Sequence, residues 1–251
     1  MVIGIEKKLE MKICVLDKGF VECQEIMGNA TTVVNSARVS FGKQKTELDD
    51  QDRRLLRYLY RHKHHSPFRH VMLRFHIRAP EMVMRQWYKH VVGAEWSATN
   101  QSHAPFHAWN EISGRYVVME DIYVPEEWRK QSEDRKQGSS EEVLEEQEGV
   151  ESAAWYEDTI QHMMETYKFL LDKGVAREQA RMVLPMSLYT EAIWTCSFQA
   201  VMNFLELRLD THAQWEIRQY ALAIQEMMTS ALPDLMNSFQ EEEVVVEDYS
   251  I

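Results

Sequence analysis

Cysteine is scarce in this 251-residue chain, which has Cys14, Cys23 and Cys196 and no CxxC pair. An odd, unpaired set disfavours a disulfide framework and a cysteine zinc site, and fits a reducing cytoplasm. Long apolar runs are also missing. None approaches the roughly 20 residues that a membrane helix needs. The opening MVIGIEKKLEMK has no apolar stretch before a small-residue cleavage site. Neither a membrane span nor a secretion signal is therefore expected. Positive charge is in deficit, with 28 Lys and Arg against 40 Asp and Glu, a net charge of −12. That balance argues against a protein that coats nucleic-acid polymers. It leaves small phosphorylated ligands open, because much of the acid gathers at 141–151 and 241–248.

Core material is plentiful. Hydrophobic residues make up 45% of the chain, including seven Trp, nine Phe and ten Tyr. That is enough for one large domain or two small ones. Residues 11–27 read as two short strands around Asp17-Lys18-Gly19. Val33, Val34, Ala37 and Val39 have helical spacing. A second helix is expected from near Asp49 through Tyr60, broken by Ser66-Pro67. HVMLRFHIR alternates as a strand with Val71, Leu73, Phe75 and Ile77 on its buried face. EMVMRQWYKHV follows as a helix, with Pro80 in its first turn. Residues 116–124 read as another strand, and 126–150 as a charged surface loop. Helices are expected over 152–172, stopped by Gly174, then 177–183 and 188–208. Thr211-His212-Ala213-Gln214 has the form of a capping box opening a last helix through Met228. Strands and helices first, helices later, is an α+β order.

Several residues carry chemistry and also have plainer readings. His62, His64, His65 and His70 crowd around Ser66-Pro67, but no carboxylate or cysteine shares a metal spacing with them. His62 and Lys63 suit a helix C-terminus, and no metal site is expected. Cys196, read as mid-helix beside Trp194 and Phe198, looks like a packing residue rather than an activated nucleophile. Arg115, Arg181 and Arg208 each read either as a snorkelling stem or as a guanidinium aimed at an anion. Asn110-Glu111-Ile112-Ser113-Gly114-Arg115-Tyr116 is the densest polar run. Ser113 and Arg115 flank a glycine that permits close backbone approach, which makes either a phosphate clamp or a turn into the strand at Tyr116.

Taken together, SARVSF, HSPFRH, LRFHIRAP, MRQWYKH, NEISGRY, AREQARMVLP, LYTEAIWT and MNFLELRLDTHAQWEIRQYALAI resemble the flavin-dependent thymidylate synthases. They occur in family order, with MKICVLDKGFVE before them, and cover most of residues 11–228. The resemblance implies a single α+β domain over 1–251, with a twisted, mainly antiparallel sheet and helical clusters. It implies conversion of dUMP to dTMP, with methylenetetrahydrofolate as carbon donor, NADPH as reductant and bound FAD. It also implies a homotetramer with shared active sites, and no essential cysteine.

Carried over by position, Arg208 is the expected catalytic residue, a fixed cation that lowers the cost of negative charge on the uracil ring. Gln86, Lys89, Glu111, Ser113, Gly114, Arg115 and Arg181 join it as dUMP-binding positions. His64, Ser66, Lys89, His90, Val91, Glu111, Ser197, Gln199 and Asn203 fall on the flavin or folate side. The family signature runs Arg-His-Arg, seven residues, then Ser. Here it reads Lys89-His90-Val91, with 21 residues before Ser113. Residues 91–109 are thus an inserted loop bearing Trp96, His103, His107 and Trp109. Ser197 and Gln199 replace a usual Asn and Arg. Either the insertion supplies new flavin contacts, or flavin is bound weakly and the enzyme hydroxymethylates a pyrimidine nucleotide. A third reading is a catalytically dead nucleotide-binding protein. Residues 1–10 read as an N-terminal extension and 240–251 as an acidic tail.

Overall fold

The computed structural model describes residues 11–42, 44–92, 108–133 and 139–240. The extension at 1–10, Trp96, His103 and His107 of the inserted loop, and the tail beyond 240 lie outside the described residues.

The first two strands form as expected. β1 (Met11–Val15) and β2 (Gly19–Met27) make an antiparallel hairpin. Gly19 is there for space. A Cβ on it would stand 2.6 Å from the Val15 carbonyl oxygen and 2.8 Å from that of Arg78, and would overlap the Tyr220 hydroxyl. Asn29 opens α1 (Ala30–Ala37) with a capping box shared with Thr32, and Asp49 opens α2 (Asp50–Arg61) in the same way with Asp52. α1 stops before Val39, which lies 76% exposed in a short 3-10 turn rather than on the helix's buried face. A second 3-10 turn, Ser66–His70, leads into β3 (Met72–Pro80). Val71 in the approach and Leu73, Phe75 and Ile77 in the strand are buried, as the alternation predicts. Pro80 ends β3 and caps α3 (Glu81–Trp87), which is shorter than the sequence pattern suggests.

The largest departure is at 188–208. The first half of that apolar run is β7 (Tyr189–Ser197), and only the second half is helix, α6 (Phe198–Arg208). β7 pairs with β3 along its whole length and with β4 (Ala108–Glu111) on its other side. Its β-branched and aromatic residues suit a pleated, half-buried surface. Thr190, Ala192, Trp194 and Cys196 are buried while Glu191, Ile193 and Thr195 are only partly covered, the period of a strand. Cys196 is therefore a core residue of a central strand, not of a helix. The sheet order is β1-β2-β3-β7-β4, and every pairing is antiparallel.

Residues 116–124 do not form the expected strand. Tyr116, Val117 and Val118 are exposed, and the segment contributes only a bridge between Ile122 and Leu188. The strand beside β7 is β4, whose short AWNE does not advertise itself. The charged segment 126–150 is more ordered than a plain loop. It holds a hairpin of β5 (Arg129–Gln131) and β6 (Ser139–Val143), and α4 (Glu146–Asp172) starts inside it. Gly174, at φ 79°, ends α4 as expected. The short helix at 177–183 is α5 (Arg177–Ala180) followed by a 3-10 turn, Arg181–Val183. The capping box at Thr211 does not form. α7 (Trp215–Ala231) begins one residue after Gln214, whose side chain does not cap it, and α8 (Pro233–Gln240) follows.

One face of the sheet packs on α6 and α7 through Phe75, Ile77, Trp194, Phe204, Ile217, Tyr220 and Ile224, all buried. Phe75 and Trp194, directly opposite in the β3–β7 register, stack at 5.8 Å. The other face carries His76 between Glu191 (2.9 Å) and Glu22 (3.5 Å). Among the described residues no helix is long and apolar enough to cross a membrane.

Gly19→Ala should destabilise the fold by about 2 kcal/mol or more, because two of the three clashes are with backbone. Chemical denaturation checks this. A midpoint equal to wild type would show that the β1–β2 turn yields freely.

Candidate active site

Four groups of side chains gather the expected residues. The first centres on Arg208, the last residue of α6. Its Nε donates to His90 Nε2 at 2.9 Å, and one terminal nitrogen reaches Gln86 Oε1 at 3.5 Å. Gln86 sits on α3 and His90 three residues beyond its buried Trp87, so this helix end delivers both to the arginine. His90 is buried, and its ring lies 5.1 Å from that of Phe204. Burial and the neighbouring Arg208 charge push its pKa down to about 4. A neutral imidazole that accepts from an arginine at Nε2 carries its own proton on Nδ1. Burial also lowers the Arg208 pKa, the cost of holding a cation with little water around it.

The second group is Ser113, Gly114, Arg115 and Arg181. Arg181 donates to the Ser113 carbonyl, and the Arg115 amide donates to Ser113 Oγ at 3.3 Å. Gly114 is buried at φ 62°, and a Cβ there would stand 2.9 Å from Met119 Sδ. Arg177, which sequence reasoning passed over, donates to the Tyr116 carbonyl at 3.0 Å and braces this turn. Arg115 and Arg181 are exposed, with guanidiniums available to an anion. The polar run is thus both a turn and a donor cluster, and Tyr116 does not begin a strand.

Glu111, the last residue of β4, forms the third. It accepts from Trp109 Nε1 at 3.0 Å and from Thr190 Oγ1 at 3.1 Å. The Glu81 carboxyl has its pKa raised, first by burial and then by the Glu111 charge.

The fourth lies at the start of α6. Gln199, buried, accepts from Arg69 Nε at 2.5 Å and approaches His65 Nδ1 at 3.5 Å. His65 Nε2 is buried without a hydrogen-bond partner among the described residues. Asn203, one turn on, donates to the Val92 carbonyl at 3.1 Å and ties α6 to the start of the inserted segment. His64, Ser66 and Lys89 are exposed, and Val91 is partly covered. Ser197 stands apart. Its hydroxyl accepts from Ala200 N at 3.3 Å as the N-cap of α6, and the residue is 2% exposed. Sequence reasoning missed Arg69, Gln214 and Glu216. The first is separated from Gln199 by 130 positions, and the other two sit in a motif whose polar residues point to no chemistry by spacing alone.

Burial raises the pKa of Cys23 to about 11 and that of Cys196 well above the usual thiol range, so neither is a thiolate nucleophile. Among the described residues, no three histidine, cysteine or carboxylate side chains gather to hold a metal ion.

Comparisons with known proteins agree on one family. The family model described as "Thymidylate synthase complementing protein" matches residues 23–234. The chain is 43% identical over 232 residues to a flavin-dependent thymidylate synthase of Thermus thermophilus, covering 92% of this chain and 79% of that protein. It is 42% identical over 230 residues to one of Kosmotoga olearia, covering 91% and 93%. Among solved structures, the UMP/dUMP methylase PolB of Streptomyces cacaoi bound with 5-Br dUMP superposes with a TM-score of 0.72 at 31% identity. That match covers 90% of this chain and 96% of that one.

A histidine in the unfolded chain protonates near about 6.5, whereas His90 resists protonation down to about 4. The stability from neutral His90 is therefore complete above about pH 6.5 and is lost as the pH falls through that window. Between pH 7 and pH 5, wild type should lose roughly 2 kcal/mol more unfolding free energy than His90→Asn. Equal losses in denaturant titrations would mean that His90 is not held neutral.

Proposed function

The chain belongs to the family of flavin-dependent thymidylate synthases, and from that premise we propose that it methylates dUMP reductively to dTMP. NADPH is the proposed reductant, methylenetetrahydrofolate the carbon donor, and the assembly a homotetramer of shared active sites. The observation that carries the reading is the half-buried Arg208, held by neutral His90 and by Gln86. A cation fixed where water is scarce favours negative charge on a bound pyrimidine more than a solvated one does. As the ring's N3 proton is lost, C5 gains nucleophilicity, and no cysteine is needed to activate it. Ser113, Gly114, Arg115 and Arg181 supply backbone and guanidinium donors suited to the nucleotide phosphate, with Glu111 as an acceptor.

The residues present fit a flavin, with the contacts redistributed. Val91 offers no polar group, and the Ser197 hydroxyl is spent on a helix cap. Gln199, however, is met by the Arg69 guanidinium, which brings a cation beside the residue where the resemblance implies an arginine. His65 Nδ1 lies 3.5 Å from the Gln199 amide nitrogen, and His65 Nε2 is buried with no hydrogen-bond partner among the described residues. Gln199, Arg69, His65, His90, Asn203, Lys89, His64 and Ser66 are the proposed holders. A bound flavin supplies the reducing equivalents. The three free cysteines suit the reducing cytoplasm proposed as its location. Hydroxymethylation without flavin and a purely binding role are not favoured, because the relatives are named for flavin dependence and the structural neighbour for methylation.

Arg208→Ala should cut kcat by about 100-fold or more while weakening dUMP binding by less than about tenfold, because the charge acts chiefly on the transition state. Turnover by dTMP formation and binding by calorimetry separate the two. Equal losses in both would reduce Arg208 to a substrate anchor.

A further inference from the structure

Arg208 is one end of a hydrogen-bond chain that runs through three helices. Its terminal nitrogen donates to Gln86 Oε1 on α3. Gln86 Nε2 donates to Gln214 Oε1 at the mouth of α7 and to the Met82 carbonyl at 3.3 Å. Gln214 Nε2 donates to Glu216 Oε2 at 2.9 Å, and the Tyr123 hydroxyl reaches the other oxygen, Oε1, at 3.5 Å. The two ends of this chain fix its direction. A guanidinium is donor-only and an ionised carboxylate acceptor-only. An amide between a carboxylate and another amide must turn its NH2 to the carboxylate and its carbonyl onward. Neither glutamine can flip without setting two acceptors or two donors face to face.

We infer that Gln214 and Glu216 are positioning residues for this reaction. They orient the Gln86 amide so that its carbonyl faces Arg208, and so hold the guanidinium in one pose toward the pyrimidine. The inference rests on the reading of Arg208 given above. Neither residue needs to touch the nucleotide, because each acts through Gln86. A glutamate at 214 would still accept from Gln86 but would oppose Glu216. With glutamine at 216 the direction of the chain is restored, since the carboxylate at 214 then accepts from both neighbours.

The test is a mutant cycle on the purified full-length enzyme with FAD, NADPH and methylenetetrahydrofolate, read as release of the C5 hydrogen from labelled dUMP. Gln214→Met keeps the volume and removes the amide. It should lower kcat by roughly 10- to 100-fold with the KM for dUMP changed far less. In a Gln86→Ala background the same substitution should cost less than about twofold further, because the two act as one unit. Gln214→Glu should be impaired, and Gln214→Glu with Glu216→Gln should recover to within about threefold of wild type. Melting temperatures, measured in parallel, distinguish lost positioning from lost folding. Additive losses in the Gln86→Ala background, or failure of the exchanged pair to recover while it folds normally, would overturn the inference. So would a Gln214→Met enzyme as fast as wild type. A wild-type enzyme that releases no C5 hydrogen would instead overturn the reading of Arg208, and this inference with it.

Discussion

The packing of Trp87 on Phe204 is the contact on which the site depends. Their rings stack at 4.5 Å, and Trp87 also meets Trp194 at 5.9 Å and Tyr220 at 5.8 Å. All four are buried. One aromatic cluster thereby locks α3 to β7, α6 and α7, and next to it lie Gln86, Arg208 and Gln214. Rings of this size bury a large apolar area, which works against the cost of a half-buried arginine and a buried histidine beside them. With α3 packed there, Gln86 and His90 lie on either side of Trp87 in the chain and both reach Arg208. A polar constellation of this kind needs a rigid apolar foundation, since an error of an ångström is expensive in catalysis.

Electrostatics then divide the labour. The Arg208 charge is partly stripped of water, and its hydrogen-bond partners are neutral: an imidazole kept deprotonated by burial, and an amide. Among the described residues, no carboxylate in direct contact quenches it. The nearest acid along its chain of bonds, Glu216, is two glutamines away. The guanidinium therefore keeps its field for a ligand. Arg115 and Arg181 sit in a different setting, exposed and bonded to the turn around Ser113, which suits gripping a phosphate more than perturbing a ring.

Much of this was legible in the sequence, and the parts that were not share a cause. The alternation of HVMLRFHIR placed β3 correctly because its solvent-side residues are mostly charged or polar. YTEAIWTCS has the same period, but its partly covered positions include isoleucine and threonine. It therefore merges with the following helix into one apolar run. β4 escaped notice because its AWNE is an edge segment whose order comes from its partner β7. The opposite error at Tyr116-Val117-Val118 came from β-favouring residues that no strand pairs with. For the site, motifs named the candidate residues, while only the fold could show what holds them. Ser197 turns out to be a helix cap, Gln199 has Arg69 against it, and Gln86 donates to Gln214 at the start of α7. Each of these facts joins residues more than a hundred positions apart or depends on where a helix begins.

The central claim is that the chain binds a flavin although Lys89, Val91 and Gln199 stand where the resemblance implies arginines, with Arg69, His65 and their neighbours as the proposed replacement contacts. Titration of FAD into the purified protein, followed by its visible absorbance after removal of free cofactor, tests it most directly. The account predicts saturable uptake that weakens in Arg69→Ala. A folded protein that retains no FAD, or an Arg69→Ala variant that binds it as tightly as wild type, would contradict the account.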